Sequence, residues 1–225
     1  MQERILYHGS AEIVRRPLYG KGKVYNDYGQ GFYCTEEIEL AKEWACTENE
    51  DGYVNEYKVD MNNLNILDLS SEEYTILHWL AMLMRYRVVR LSSPIMKRGH
   101  HWLIEHFLPE LAGKDIIIGY CADDSHFSYA RAFVNNEISV AQLSYAMKLG
   151  KLGEQVVIKS EEAFDRIRFH GSVYVDRMEY YPKRQARDLQ ARELYIQELE
   201  KEDVNGLYIR DLIREEVRAD DPRLR

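Results

Sequence analysis

Asp27-Tyr28-Gly29-Gln30-Gly31-Phe32-Tyr33-Cys34-Thr35-Glu36-Glu37-Ile38-Glu39-Leu40-Ala41-Lys42-Glu43-Trp44-Ala45 is the stretch whose reading decides the fold. Glycines on either side of Gln30 allow a tight turn or the close approach of a ligand. Phe32, Tyr33 and Cys34 suit a strand. Thr35 then predicts a helix N-cap, with Glu36 and Glu37 in the first turn, where the helix dipole favours negative charge. Ile38, Ala41 and Ala45 recur at helical spacing, so Trp44 and its neighbours are expected to pack this helix onto a sheet. Turn, strand and capped helix make one compact unit. A second phrase lies upstream, Leu6-Tyr7-His8-Gly9-Ser10, in which a histidine and a glycine close an apolar run.

The rest of the chain is long enough to surround such a unit. With 225 residues, 45% of them hydrophobic and 12% aromatic, it has material for one large domain or a domain with an appendage. Global disorder is not expected from that composition. The net charge of -8 argues against broad nonspecific affinity for nucleic acid. Cys34, Cys46 and Cys121 show no metal-ligand spacing and cannot all pair, which suits a reduced, cytoplasmic setting. The opening Met-Gln-Glu-Arg carries no signal-peptide core. The longest apolar run, Tyr74 to Met84, is too short to span a bilayer and reads as a buried helix.

In chain order, Arg4 to His8 reads as a first strand ended by Gly9 and Ser10, followed by a basic loop over residues 11 to 26. Val54 to Val59 alternates as a strand, and Leu64 to Leu69 is a candidate for another. Ser70, with Glu73 three residues later, predicts the start of the apolar helix. Residues 91 to 100 read as a break at Pro94 and Gly99, before a helix over His101 to Leu111. Asp115 to Gly119 is a continuous apolar run typical of a buried strand. Helices are expected over Phe127 to Asn135 and, capped by Ser139 with Gln142, over Ser139 to Lys148. Gln155 to Lys159 reads as a strand, Ser160 as a cap, and Ser172 to Asp176 as a strand that closes the sheet. From Lys183 onward acidic and basic side chains balance and Trp and Phe disappear. The pattern predicts a domain over 1–182 and a charged pair of surface helices over 183–225, outside the core. Their narrow stripe is Ile209, Leu212, Ile213 and Val217. The pair reads either as a solvated surface or as a docking arm for a partner.

Four ordered phrases carry a family likeness: Tyr7-His8-Gly9-Ser10, the Asp27 to Thr35 element with its Ala41-x-x-Trp44-Ala45 helix, Gly119 to Asp124, and Gln155 to Ala163. Together they resemble the ADP-ribosyltransferase superfamily, and more closely an uncharacterised bacterial family within it. The likeness covers roughly residues 4 to 170. It implies an α/β (α+β) fold with a split, mostly antiparallel sheet forming an NAD cleft. NAD would be a co-substrate, the acceptor is unspecified, and the bacterial setting implied is a toxin–antitoxin or defence pair, with an antitoxin or helical partner docking on 183–225.

The resemblance also distributes roles. His8 would hydrogen-bond the ribose hydroxyls, the Gly9 backbone the nicotinamide amide, and Tyr33 would flank the nicotinamide ring. Ser10, Gly31 and Phe32 complete the cofactor-binding stretch. Superfamily transferases place a glutamate at the start of a late strand to steady the cation-like sugar of the transition state. Here Glu154 and Gln155 compete for that place, and neighbours on a strand face opposite ways. The closer family has glutamine, which points to Gln155; the Glu154 register would restore the ordinary carboxylate. Asp123 and Asp124 are read either as a charge at the pocket or as helix caps. Arg87 is read either as a pyrophosphate contact or as a surface residue. His100 and His101 lack a third ligand for a metal. Three functions stay open: an NAD-dependent mono-ADP-ribosyltransferase, an NAD glycohydrolase in the same pocket, and a module that binds NAD or ADP-ribose without turnover.

Overall fold

In the computed structural model residues 3–122, 124–149 and 153–224 are described, with the side chains of 124–126, 148 and 149 outside that description. The architecture is mixed α/β. One antiparallel sheet has β1 (Glu3–Ser10), β3 (Gly52–Asp60) and β7 (Ile167–Val175) in the order β1-β3-β7. The second runs β2 (Phe32–Cys34), β6 (Glu154–Ile158), β5 (Ile116–Tyr120), β4 (Ile66–Asp68). Its β4–β5 pair is parallel and its other pairs are antiparallel. The sheets pack on each other through a shared apolar cluster that includes Leu6, Tyr57, Cys34 and Val156, and Tyr7 and Thr35 bridge them with backbone hydrogen bonds of 2.8 and 2.9 Å.

Several boundaries differ from those expected, each for a local reason. β1 does not end at His8; it runs on through Gly9 and Ser10, which lie opposite Val54 and Tyr53. Gly9 serves packing here: a Cβ would sit 2.0 Å from the Ala41 carbonyl oxygen, so only glycine lets helix α1 (Ile38–Ala45) lie on the strand. Thr35 is not that helix's N-cap. Glu37 is, while Thr35 is buried at the sheet junction and its Oγ1 accepts from the Glu37 backbone at 3.1 Å.

Ser70 is likewise diverted, since its hydroxyl and its backbone N–H both donate to Asp68 Oδ1 at 2.6 and 3.0 Å, a local turn that competes with capping. Helix α2 (Ile76–Tyr86) therefore starts later, on a capping box between Thr75 and His78. The supposed break at 91–100 is the start of α3 (Pro94–Phe107): Ser93 caps it and Pro94 takes the first helical position, where a missing N–H costs nothing. The Ser139–Gln142 capping box of α5 (Val140–Leu149) forms as read, with bonds of 2.9 and 3.2 Å. Ser160 caps α6 (Glu161–Asp165), and α4 (Asp124–Val134) precedes α5.

The C-terminal stretch departs most. Residue 183 falls inside a long helix, α7 (Arg177–Leu199), which is largely exposed. The stripe of α8 (Ile209–Arg214), however, is buried: Ile209 and Leu212 are fully covered and join Trp79, Leu103 and Phe133 in the largest apolar cluster. The expectation that the stripe lies outside the core is corrected. Gly99 of α3 makes room for it, since a Cβ there would be 2.9 Å from Ile209 Cγ1. Burying two such side chains contributes about 1.5–3 kcal/mol each, more than a short charged helix supplies from within.

Candidate functional site

The glycine turn is tied down from three directions, and that places one cavity. Gly29 has φ of 73°, the left-handed conformation that glycine adopts without strain. Gly31 lies so close to β6 that a Cβ would be 2.7 Å from Val157 Cγ1. The Tyr33 hydroxyl closes the turn by donating to the Gly29 carbonyl at 2.6 Å and accepting from the Tyr28 backbone at 3.0 Å. The Tyr28 hydroxyl donates to the Tyr120 carbonyl at 2.6 Å, anchoring the turn to the end of β5. Lys159, just after β6, donates to the Tyr28 carbonyl at 2.6 Å and to the Gln30 carbonyl; burial draws its ammonium pKa down to about 8.

Against this turn opens a cavity of about 250 Å³ lined by Asn26, Asp27, Tyr33, Trp44, Arg87, Ala122 and Gln155. Tyr33 and Trp44 bring aromatic walls. Burial holds the Tyr33 phenol far above its ordinary pKa, so it stays a neutral hydroxyl at neutral pH. Asp27 is 4% exposed; one carboxylate oxygen accepts from the Ala122 backbone at 3.0 Å and the other lies 3.6 Å from Arg87. The Arg87 guanidinium also lies over the Phe127 ring, 5.0 Å from its centroid.

Of the residues expected at the site, Tyr33, Arg87 and Gln155 come together. Gln155 is buried on β6, whereas Glu154, exposed at the start of the strand, is turned to the opposite face by strand alternation. His8 does not line the cavity. Its Nδ1 is 2.7 Å from the Tyr33 carbonyl and its ring packs against Phe32, tilted by 38°, with centroids 4.4 Å apart. A carbonyl only accepts, so Nδ1 carries the proton and the neutral ring offers Nε2 as an acceptor. Burial lowers the His8 pKa, partly opposed by that carbonyl bond.

Gly9 and Ser10 are also outside the cavity lining. The Ser10 hydroxyl donates to the Glu12 carbonyl at 2.7 Å and accepts from Asn55 at 3.0 Å. Phe32 packs in the second core cluster, beside Tyr57 and Phe164. Asp123 and the side chain of Asp124 lie outside the described residues. His100 is bound to the Met84 carbonyl at 2.9 Å and His101 faces Glu105, and among the described residues no cluster suited to a metal forms.

Four lining residues, Asn26, Asp27, Trp44 and Ala122, were not read as site residues in the sequence. Trp44 shares the inward face of α1 with Leu40 and Ala41, so its spacing is that of any core residue; only the cavity beside it distinguishes it. Asp27 stands at the head of the glycine turn, and nothing local marks it as buried. A larger cavity of about 680 Å³ lies elsewhere, near the start of α2 and α5. Its lining is mostly hydroxyls and apolar groups, and its arginine, Arg223, is already paired with Asp221 and Glu215. Among the described residues no helix is long and apolar enough to cross a membrane.

Residues 4–169 match the family described as "Protein of unknown function (DUF3990)". The chain belongs to that family. The match spans every residue lining the small cavity and stops before α7 and α8. Neither the curated proteins nor the solved structures yielded a match.

Proposed function

We propose that the DUF3990 chain binds NAD with its nicotinamide end in the Tyr33–Trp44–Gln155 cavity and transfers ADP-ribose from it to an acceptor. The observation that carries this reading is the convergence of Tyr33 and Gln155, far apart in sequence, on one small cavity beside the junction of the two sheets. At about 250 Å³ the cavity is smaller than the roughly 300–1,000 Å³ typical of whole-ligand sites, which suits one flat ring and its sugar rather than a complete dinucleotide. Aromatic walls suit the ring. In the reaction the bond from ribose C1′ to the nicotinamide nitrogen breaks, and the electron pair leaves with neutral nicotinamide. An acceptor oxygen, nitrogen or sulfur then bonds to C1′ and releases a proton. The sugar carries positive charge at the transition state, and the buried Asp27 carboxylate beside Gln155 is a source of compensating charge.

A binding module that recognises NAD without turnover is the second reading. It is favoured by one observation: β6 offers the neutral Gln155 inward while the Glu154 carboxylate faces out. Free nicotinamide released from NAD by the purified chain separates the two. Release is expected, with Gln155→Ala lowering it by about 10²-fold while the fold persists. A raised melting temperature with NAD but no release would favour the binding module. Neither release nor stabilisation at millimolar NAD would sink both.

A further inference from the structure

One buried polar atom in the cavity wall has no hydrogen-bond partner among the described residues: the side-chain oxygen of Gln155, a residue only 7% exposed. An unpaired acceptor in so dry a place is costly and calls for a donor. The opposite end of the same amide is occupied. Its nitrogen lies 2.8 Å from Cys121 Sγ and 3.5 Å from Asp27 Oδ2. Asp27 in turn is held in place, accepting from the Ala122 backbone at 3.0 Å and facing Arg87 at 3.6 Å.

A carboxylate oxygen can only accept. Turning the amide over would set the Gln155 oxygen against it, two acceptors facing each other where little water screens them. The two ends of a glutamine amide have the same shape, so only such a partner decides which one faces where.

We propose that Asp27 is a positioning residue: its carboxylate holds the amide nitrogen of Gln155 and so leaves the amide oxygen as the unpaired acceptor in the cavity wall, suited to a hydrogen-bond donor such as a sugar hydroxyl or an amide N–H. The bond from the amide nitrogen to the carboxylate also polarises the amide, so the neutral side chain relays part of the Asp27 charge to its oxygen. A carbonyl or phosphate oxygen of a ligand is excluded from that point. The identity of the ligand as NAD rests on the function proposed above; the orientation of the amide does not.

The first test needs no ligand. Gln155→Glu in the full chain sets a second carboxyl beside Asp27, and adjacent carboxyls resist ionising together, so the introduced group titrates above its ordinary range. A folded-state pKa raised in this way stabilises below the ordinary value and is lost as pH rises through the raised one. The melting-temperature deficit of Gln155→Glu is therefore expected to widen from about pH 5 to about pH 8. Adding Asp27→Asn, compared with Asp27→Asn alone, is expected to remove most of the widening. No widening, or widening unchanged by Asp27→Asn, overturns the proposal.

Should Gln155→Glu not fold, Gln155→Met and Asp27→Asn form a double-mutant cycle in urea, and losses that simply add overturn it equally. NAD titration supplies the ligand side. Asp27→Asn is expected to weaken binding about tenfold, and unchanged affinity would count against the proposed role. If the wild-type chain binds no NAD, the functional reading falls, while the pH comparison still decides what Asp27 does.

Discussion

Residues 27–45 and residues 177–224 fold by opposite rules. In the first region nearly every residue has a local reason for its place: Gly29 turns, Gly31 lets β2 touch β6, Tyr33 locks the turn, and the apolar face of α1 meets β1. In the second, charge dominates and most of α7 is solvated; a few apolar residues settle the rest, with α8 pinned by Ile209 and Leu212. Where many weak signals agree, the composition of a segment predicts its burial. Where two or three side chains decide, composition misleads.

The sharpest way to break this contrast is Gly9→Ala. The added methyl would meet the Ala41 carbonyl at 2.0 Å, so α1 must leave β1, and a loss of more than about 3 kcal/mol is expected from urea denaturation. Gly113→Ala is the matched control: its φ of 68° disfavours a side chain, but nothing lies within 4 Å, and about 1 kcal/mol is expected. Equal losses at the two sites would deny that Gly9 is kept for packing.

Leu212→Ala tests the other region. As a fully buried residue it is expected to cost about 2–3 kcal/mol, whereas Leu189→Ala on the exposed part of α7 should stay within about 0.5 kcal/mol. A negligible cost at Leu212 would return α8 to the status of an appendage. Ser139→Ala removes both the α5 cap and a 2.6 Å bond from Ser139 to Asp203, and about 1–2 kcal/mol is expected by chemical denaturation.

The smallest effect concerns pH. Burial lowers the pKa of His8 and of His78, so as pH falls below 6.5 the unfolded chain takes up protons first and stability is lost. His8→Gln is expected to flatten that decline, by less than about 1 kcal/mol between pH 6.5 and 5.5, measured as the change in denaturation midpoint. An unaltered slope would show that His8 is as easily protonated folded as unfolded.

Much of the fold was legible because its signals are short-range. Alternation marks β3, an apolar run marks β5, and the Ser139 and Ser160 caps sit where side chain and backbone are neighbours in sequence. Misreadings arose where one side chain had two possible local partners. Ser70 bonds Asp68 instead of opening a helix, and Thr35 is drawn to the sheet junction. At the candidate site, Tyr33, Arg87 and Gln155 were legible as residues of the right kind. Their meeting in one cavity was not, since it depends on β2, β6 and the end of α2 approaching one another.

By itself, then, the sequence determined the glycine turn, the strand and helix that follow it, and the alternation that sends Gln155 and Glu154 to opposite faces. These depend only on backbone sterics and the period of a strand. Tertiary structure alone decided that Asp27 is buried beside Gln155, that Trp44 borders a cavity, and that α8 belongs to the core. Burial and charge pairing are properties of what the rest of the chain brings within a few ångströms, and no window of neighbouring residues contains that information.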